Sequence, residues 1–335
     1  MEYRTFGRTG VKVSPLCMGC MTFGSKTDSQ EACRLVDRCI EAGINFFDTA
    51  NVYTRGKSES MLGDALRRNG KRDSIILATK FHAGMDDNDP NMRGNSRRHL
   101  IQQCEASLRR LQTDWIDIYQ VHRPQSEIPV DETLRAMDDL VRQGKVRYIG
   151  TSTFAAWQVV ESLWVSHSLG LNRMVSEQPP YHLLDRRIER ELVPVALTYG
   201  IGLIPWSPLA GGFLTGKYSR EGASPENSRL TRENDWTAKH FTDAAFDALE
   251  ALEKLARQKG CSVSQFALAW CMHQPAMTSP IIGPRSMDQL EDNLKALDVQ
   301  INDDDRKAVD QVSPPGGVIV SYYDADFGPH KHRIV

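Results

Sequence analysis

The chain carries 335 residues, with 41 Lys plus Arg against 43 Asp plus Glu and a formal net charge of −2. That length is too great for a small stapled module and suits one large α/β barrel or two ordinary domains. Neither sign is blocked into long runs, so the pattern argues against nucleic acid or an anionic membrane and leaves a small molecule as the expected partner.

The start, MEYRTFGRTG, lacks the apolar core of a secretion signal, and no apolar run approaches the roughly 18 residues of a membrane span. A cytoplasmic location is expected. Seven scattered cysteines fit reduced thiols better than a disulfide framework. Cys17 and Cys20 form C-x-x-C, the spacing of a redox pair. Such pairs usually open a helix, whereas PLCMGC reads as a strand ending at Gly19, so packing is the expected role.

Along the chain, residues 2–14 hold YRTF and VKVS around GRTG and read as a small hairpin plugging one end of the fold. PLCMG is the first strand. Ala32, Leu35, Val36, Cys39 and Ile40 recur at helical spacing, with Asp28 and Glu31 set as a capping box and Gly43 as a stop. INFFDTA is a buried strand, followed by strand SIILATKF and a helix with Leu100, Ile101, Cys104, Leu108 and Leu111 on one face. WIDIYQVH, a helix carrying Leu134, Met137, Leu140 and Val141, strand VRYIGTS and a helix with Val159, Val160, Leu163 and Trp164 continue the alternation. MVSEQ, a helix near 186–198, IGLIPW, a helical region at about 241–273, SPIIG and a helix over 286–296 complete it.

Repeated strand and helix units call for parallel strands. Eight units in this length fit a closed (β/α)8 barrel better than an open sheet, which would need a topological switch point. One domain over 1–335 is therefore expected, with a long Gly-rich, then polar loop at 207–237 and a tail at 313–335. Connections of that length are usually lids, binding loops or disordered segments.

Active sites of such barrels lie at the carboxyl ends of the strands. Asp48 ends the second strand, Lys80 the third and His122 the fourth, and Tyr53 lies in the loop after the second. Taken singly, each has a plain explanation: a turn cap, a surface lysine, a core imidazole, a packing tyrosine. Together they point further, because an unpaired Lys or Asp at a buried strand end is costly unless each offsets the other's desolvation. A neighbouring ammonium favours phenolate, so Lys80 beside Tyr53 would give a usable proton donor. Asp48 would orient Lys80, and His122 would hydrogen-bond a carbonyl oxygen: general acid catalysis at a carbonyl.

In FDTANVY, ATKF and IYQVH the chain resembles the aldo-keto reductases, and the resemblance covers nearly its whole length. It implies a catalytic set of Asp48, Tyr53, Lys80 and His122. A reductase also needs a hydride carrier, which no side chain supplies. No G-x-G-x-x-G is present, but SPLAGGFLTGKY (207–218) has the composition of a phosphate-binding loop. Trp206 precedes it, where a flat aromatic would stack on a nicotinamide ring, and Arg285 near a helix start suits a phosphate. The resemblance puts Trp206 at the nicotinamide-stacking position and Ser152 and Gln178 at the carboxamide. Thr153 stands where many relatives have Asn. It further implies cofactor contacts from Gly19 and Met21, from Ser207, Pro208, Leu209, Gly211 and Lys217, and from Gly283, Arg285, Gln289 and Asn293. NADPH is expected over NADH.

Met21, Phe23, Phe81, His82 and Arg123 are expected around the pocket, with Tyr322, Tyr323 and Phe327 of the tail as candidate closers. Two other readings stay open: a Schiff-base aldolase using Lys80, and a cofactor-binding regulatory subunit like the potassium-channel β-subunits, which share the barrel and the four residues. HKH at 330–332 lacks an evident third ligand, so no metal is expected. Sugar aldehydes, aromatic aldehydes, pyridoxal-like compounds and bulky cyclic ketones all fit as substrates, and composition does not decide between a monomer and a larger ring.

Overall fold

The computed structural model of the chain describes residues 1–222, 224–226, 228–232 and 234–321. Two antiparallel strands, β1 (Arg4–Thr5) and β2 (Lys12–Val13), form the expected hairpin. Its Phe6 and Val13 are buried in one apolar cluster with Cys17, Phe46, Ala78, Ile118 and Ile204, Phe6 meeting Phe46 edge to face at 5.6 Å. The hairpin turn needs glycine, since Gly7 has φ +53° and a Cβ there would lie 2.7 Å from Val175 O.

Strand β3 (Cys17–Gly19), helix α1 (Ser29–Glu41) and strand β4 (Phe46–Asp48) begin the barrel. Next come α2 (Lys57–Asn69), β5 (Ile76–Phe81), α3 (Arg97–Leu111), β6 (Ile116–Val121) and α4 (Val130–Arg142). Strand β7 (Val146–Ser152), α5 (Ala156–Leu169), β8 (Met174–Gln178), α6 (Leu192–Tyr199) and β9 (Gly202–Leu203) follow. The chain ends through α7 (Asp235–Ala238), α8 (Asp243–Gln258), α9 (Val263–Met272), β10 (Ile281–Ile282), α10 (Met287–Leu294) and α11 (Asp303–Val312).

Among the described residues, β3 to β10 form one eight-stranded parallel sheet in the order β10-β3-β4-β5-β6-β7-β8-β9. Thr278 N donates to Leu203 O and Ile281 N to Pro205 O, both at 2.8 Å, which ties the last strand back to the seventh and closes the ring. This is the (β/α)8 barrel expected from the alternation.

Three local expectations need correction. Helices were expected between the eight strands, but none was placed between the second and third, where α2 lies. Its first turn is polar, because Ser58 and Glu59 are buried through hydrogen bonds: Ser58 Oγ to Cys20 O at 2.7 Å, and Thr79 Oγ1 to Glu59 Oε1 at 2.6 Å. The helical region at 241–273 is two helices, broken at Gly260 with φ +70° and restarted by Ser262, whose hydroxyl accepts from Gln265 N. At α1 only half of the capping box forms. Asp28 accepts from Glu31 N at 2.9 Å, while the Glu31 carboxylate accepts from Met287 N at 2.9 Å and so ties α1 to α10.

Candidate active site

Period two sets the floor of the site. On β4, β5 and β6, Phe46, Ala78 and Ile118 belong to the apolar cluster inside the barrel. Two residues later on the same strands stand Asp48, Lys80 and Gln120, all buried. The register sets Lys80 opposite Gln120, as Ala78 is opposite Ile118.

Lys80 is fully buried, and its Nζ donates to Asp48 Oδ1 at 2.5 Å, to Thr49 O at 2.8 Å and to Tyr53 OH at 3.4 Å. Burial alone lowers the lysine pKa, but Asp48 and then Tyr53 outweigh it and leave the value raised, so Lys80 is an ammonium. Asp48 Oδ2 accepts from Gln120 Nε2 at 3.0 Å and Gln178 Nε2 at 2.9 Å. Both carboxylate oxygens therefore have partners, which offsets the cost of a buried ion pair.

Tyr53 opens a 3-10 turn in which Thr54 and Arg55 take left-handed backbone, φ +49° and +51°. Two non-glycine residues held there mark strain of the kind that collects at functional sites. Thr54 Oγ1 fastens the turn by donating to Phe23 O at 3.0 Å. The Tyr53 ring meets His122 edge to face, centroids 5.7 Å apart. His122 N continues the β5–β6 ladder with a 2.9 Å bond to Phe81 O, which fixes its position. Burial, then Lys80, Arg123 and His82, push the His122 pKa well down, so the ring is neutral.

These groups stand at one end of a cavity of about 1240 Å³ that passes Trp206 and Ser207 and reaches Arg285, Gln289 and Asn293. Every candidate site residue from the sequence lines it except Lys80, which lies behind Asp48 and Tyr53, and Thr153. Gly19, Met21, Ser152 and Gln178 are on its catalytic half, and Pro208, Leu209, Gly211, Lys217 and Gly283 along its wall. The Gln178 amide nitrogen is turned to Asp48 and to Gln120 Oε1, so toward a carboxamide it offers an acceptor. Ser152 Oγ donates to Gln178 O at 3.0 Å. Thr153 has φ +58° and its hydroxyl donates to Ser152 O at 2.7 Å, away from the cavity.

The far end fits a polyanion. Burial and then the charge of Arg285 lower the Lys217 pKa, the mark of two cations close together. Ser207, Ala210, Gly211 and Gly212 all have positive φ, a backbone path of the kind that gathers N–H groups around phosphate. A Cβ on Gly283 would meet nothing within 4 Å. The long loop is anchored by its aromatics, with Phe213 stacked on Tyr218 at 5.9 Å and Tyr218 edge-on to Phe241 at 5.3 Å.

Sequence reasoning missed Gln120, although the alternation Ile116, Ile118, Gln120 could have revealed it. It also missed Lys26, Arg229, Ser264 and Asp292, all on the cavity wall, with Ser264 Oγ donating to Asp292 Oδ2 at 2.8 Å. Among the expected pocket residues Met21 and Arg123 line the cavity, whereas Phe23, Phe81 and His82 do not. Phe23 and Phe81 are core, Phe81 packing on Tyr119 at 4.9 Å, and His82 Nδ1 is 2.9 Å from Asn95 Oδ1. Tyr322, Tyr323, Phe327 and HKH lie outside the described residues. Cys17 and Cys20 are buried free thiols whose pKa burial, then Asp48, raise well above the usual value, which disfavours the reactive thiolate.

The family model described as "Aldo/keto reductase family" matches residues 15–314. The chain belongs to the aldo/keto reductase family. An "Uncharacterized oxidoreductase YrpG" of Bacillus subtilis (strain 168) is 40% identical, with 95% of this chain and 98% of the relative covered. A "Probable voltage-gated potassium channel subunit beta" of Oryza sativa subsp. japonica is also 40% identical, over 89% of this chain and 92% of the relative. "Versiconal hemiacetal acetate reductase" of Aspergillus parasiticus is 33% identical, over 95% and 98%. As an aldo/keto reductase with such relatives, the chain is supported as an oxidoreductase. No helix among its described residues is long and apolar enough to cross a membrane.

Proposed function

We propose that the chain reduces an aldehyde or ketone to the alcohol, reversibly, with NADPH as the hydride source and Tyr53 as the general acid. The observation that carries this reading is the buried ammonium of Lys80, 2.5 Å from Asp48 and 3.4 Å from Tyr53 OH, beneath the open end of a large cavity. Bound nicotinamide would supply the hydride. Trp206, Ser152 and Gln178 would hold it against the catalytic end, and Lys217 and Arg285 would take the phosphates, the reason NADPH is favoured.

In the reducing direction the Tyr53 hydroxyl donates a proton to the carbonyl oxygen as charge develops there, and the Lys80 ammonium stabilises the phenolate left behind. Asp48, held by Gln120 and Gln178, keeps Lys80 charged and aimed. Neutral His122 donates an N–H to the same oxygen and fixes the face presented. The Schiff-base alternative fares worse, because a lysine that is buried, charged and off the cavity wall is a poor nucleophile. The rice relative keeps a second reading in view, a cofactor-binding subunit with little turnover.

The test is a fluorescence titration of the six tryptophans with NADPH and NADH, for wild type and Arg285→Ala. Quenching that prefers NADPH and weakens in the variant supports the reading and leads to a carbonyl screen with Tyr53→Phe as control. Absence of binding by either nucleotide removes it. Tight NADPH binding with negligible reduction across the screen favours the subunit reading.

A further inference from the structure

Between α4 and α5 the barrel wall holds a second cavity, of about 460 Å³, which shares no lining residue with the one above the catalytic groups. It reaches inward to Val121 and Met174, both buried, between Ile128, Pro129 and Val130 on the α4 side and Phe154 and Trp157 on the α5 side. That volume falls in the range of small-molecule sites, which are mostly apolar with a few placed polar groups.

The neutral polar side chains around it are tied to the backbone. Asn95 Nδ2 donates to Arg123 O at 2.9 Å, Thr133 Oγ1 to Asn95 O at 2.8 Å and Ser162 Oγ to Gln158 O at 2.8 Å. Gln125 Oε1 accepts from Asn95 N at 2.8 Å, and Gln158 Oε1 from Ala155 N at 2.9 Å. The walls are thus set before anything binds, which limits the ordering cost of an occupant.

Glu161 differs from these. It is the one charged residue of the lining, it is exposed, and it makes no hydrogen bond or ion pair among the described residues. Helix α5 places it four residues after Trp157, so carboxylate and indole share a face. Trp157 is 46% exposed, an uncommon position for so large an apolar ring. An ammonium group complements both, the carboxylate by charge and the indole face by its quadrupole. An apolar body on the same molecule would fill the space down to Val121 and Met174.

We propose that the cavity between α4 and α5 binds a small organic cation, an amine carried on an aromatic or alkyl body, with Glu161 and Trp157 recognising the ammonium. The inference goes beyond the reductase reading and does not depend on it.

The experiment is calorimetric titration of the full chain with 2-naphthylmethylamine and 4-phenylbutylamine, each beside the methyl ether that replaces its ammonium by a neutral group. Wild type should bind both amines saturably, about fivefold more tightly than the ethers. Glu161→Gln should bring that ratio close to one while the ethers bind as before, and Trp157→Ala should weaken all four compounds. Both side chains are exposed, so the variants should fold, and circular dichroism checks this. Saturating NADPH should leave amine affinity unchanged, because the two cavities share no residue. Equal binding of amine and ether by wild type overturns the proposal, as does the absence of saturation by either amine up to about 1 mM. Amine affinity that is untouched in both variants, or that NADPH competes away, puts the amine in another site and overturns it too.

Discussion

The barrel interior has two layers built from the same strands two residues apart. Below, Phe46, Ala78 and Ile118 pack with the hairpin's Phe6 and Val13. Above, Asp48, Lys80 and Gln120, joined by Gln178 from β8, form a closed polar network. The lower layer is held by burial of apolar surface and tolerates no gap. The upper one contributes little net stability, since its ion pair must offset its own desolvation. One layer supports the fold and the other keeps a charged lysine in a dry place.

The sharpest way to break the contrast is Lys80→Met. It strands the Asp48 carboxylate and should cost about 3–5 kcal/mol in chemical denaturation, along with nearly all reductase activity. Adding Asp48→Leu removes the stranded charge and should restore much of the stability while activity stays lost. A double variant as unstable as the single one would contradict this account of the upper layer.

Phe46→Ala, one step lower on the same strand as Asp48, should cost about 3–5 kcal/mol through a cavity, with nicotinamide binding and the pH profile of the folded fraction retained. Tyr53→Phe should do the reverse, lowering kcat by about 10²–10⁴-fold and moving the melting temperature little. Gln120→Met removes one donor from Asp48 and an acceptor from Gln178. A loss of about 1–3 kcal/mol is expected, with weaker nicotinamide binding if Gln178 turns as a result.

The same two layers explain what could be read in the sequence. The alternation of apolar runs with helical spacing carries the barrel, because the lower layer and the helix faces obey simple periods. Asp48, Lys80 and His122 stood out as polar groups at the ends of apolar runs, and the structure brings them together with Tyr53. Gln120 was passed over as an uncharged residue inside YQV, and only the alternation Ile116, Ile118, Gln120 and the register that sets it beside Lys80 mark it. Helix α2 was hidden by its inward-facing Ser58 and Glu59. Thr153 was expected against the cofactor, and only its backbone angle turns it to Arg123 instead. Burial of polar groups through specific partners is invisible to a pattern that sorts residues into apolar and polar.

Glu177 offers the finest probe, because it is buried with Oε2 lacking a hydrogen-bond partner among the described residues. Burial raises its carboxyl pKa from 4.5 to about 8, against the pull of Thr151 and the Phe154 and Thr153 amides. Between those values the folded chain binds more protons than the unfolded one, so Glu177 makes stability fall as pH rises. The buried histidines act oppositely: burial lowers His99 and His182 to about 4, so their contribution grows as pH rises through the window below 6.5. Comparing wild type with Glu177→Gln between pH 6.5 and 7.5 isolates the carboxyl, because the histidines are common to both proteins and their contribution cancels. Wild type should lose about 1 kcal/mol across that interval relative to Glu177→Gln, read from urea midpoints at the two pH values. Parallel curves for the two proteins would mean that Glu177 is already ionised in the fold, with its second oxygen solvated or paired.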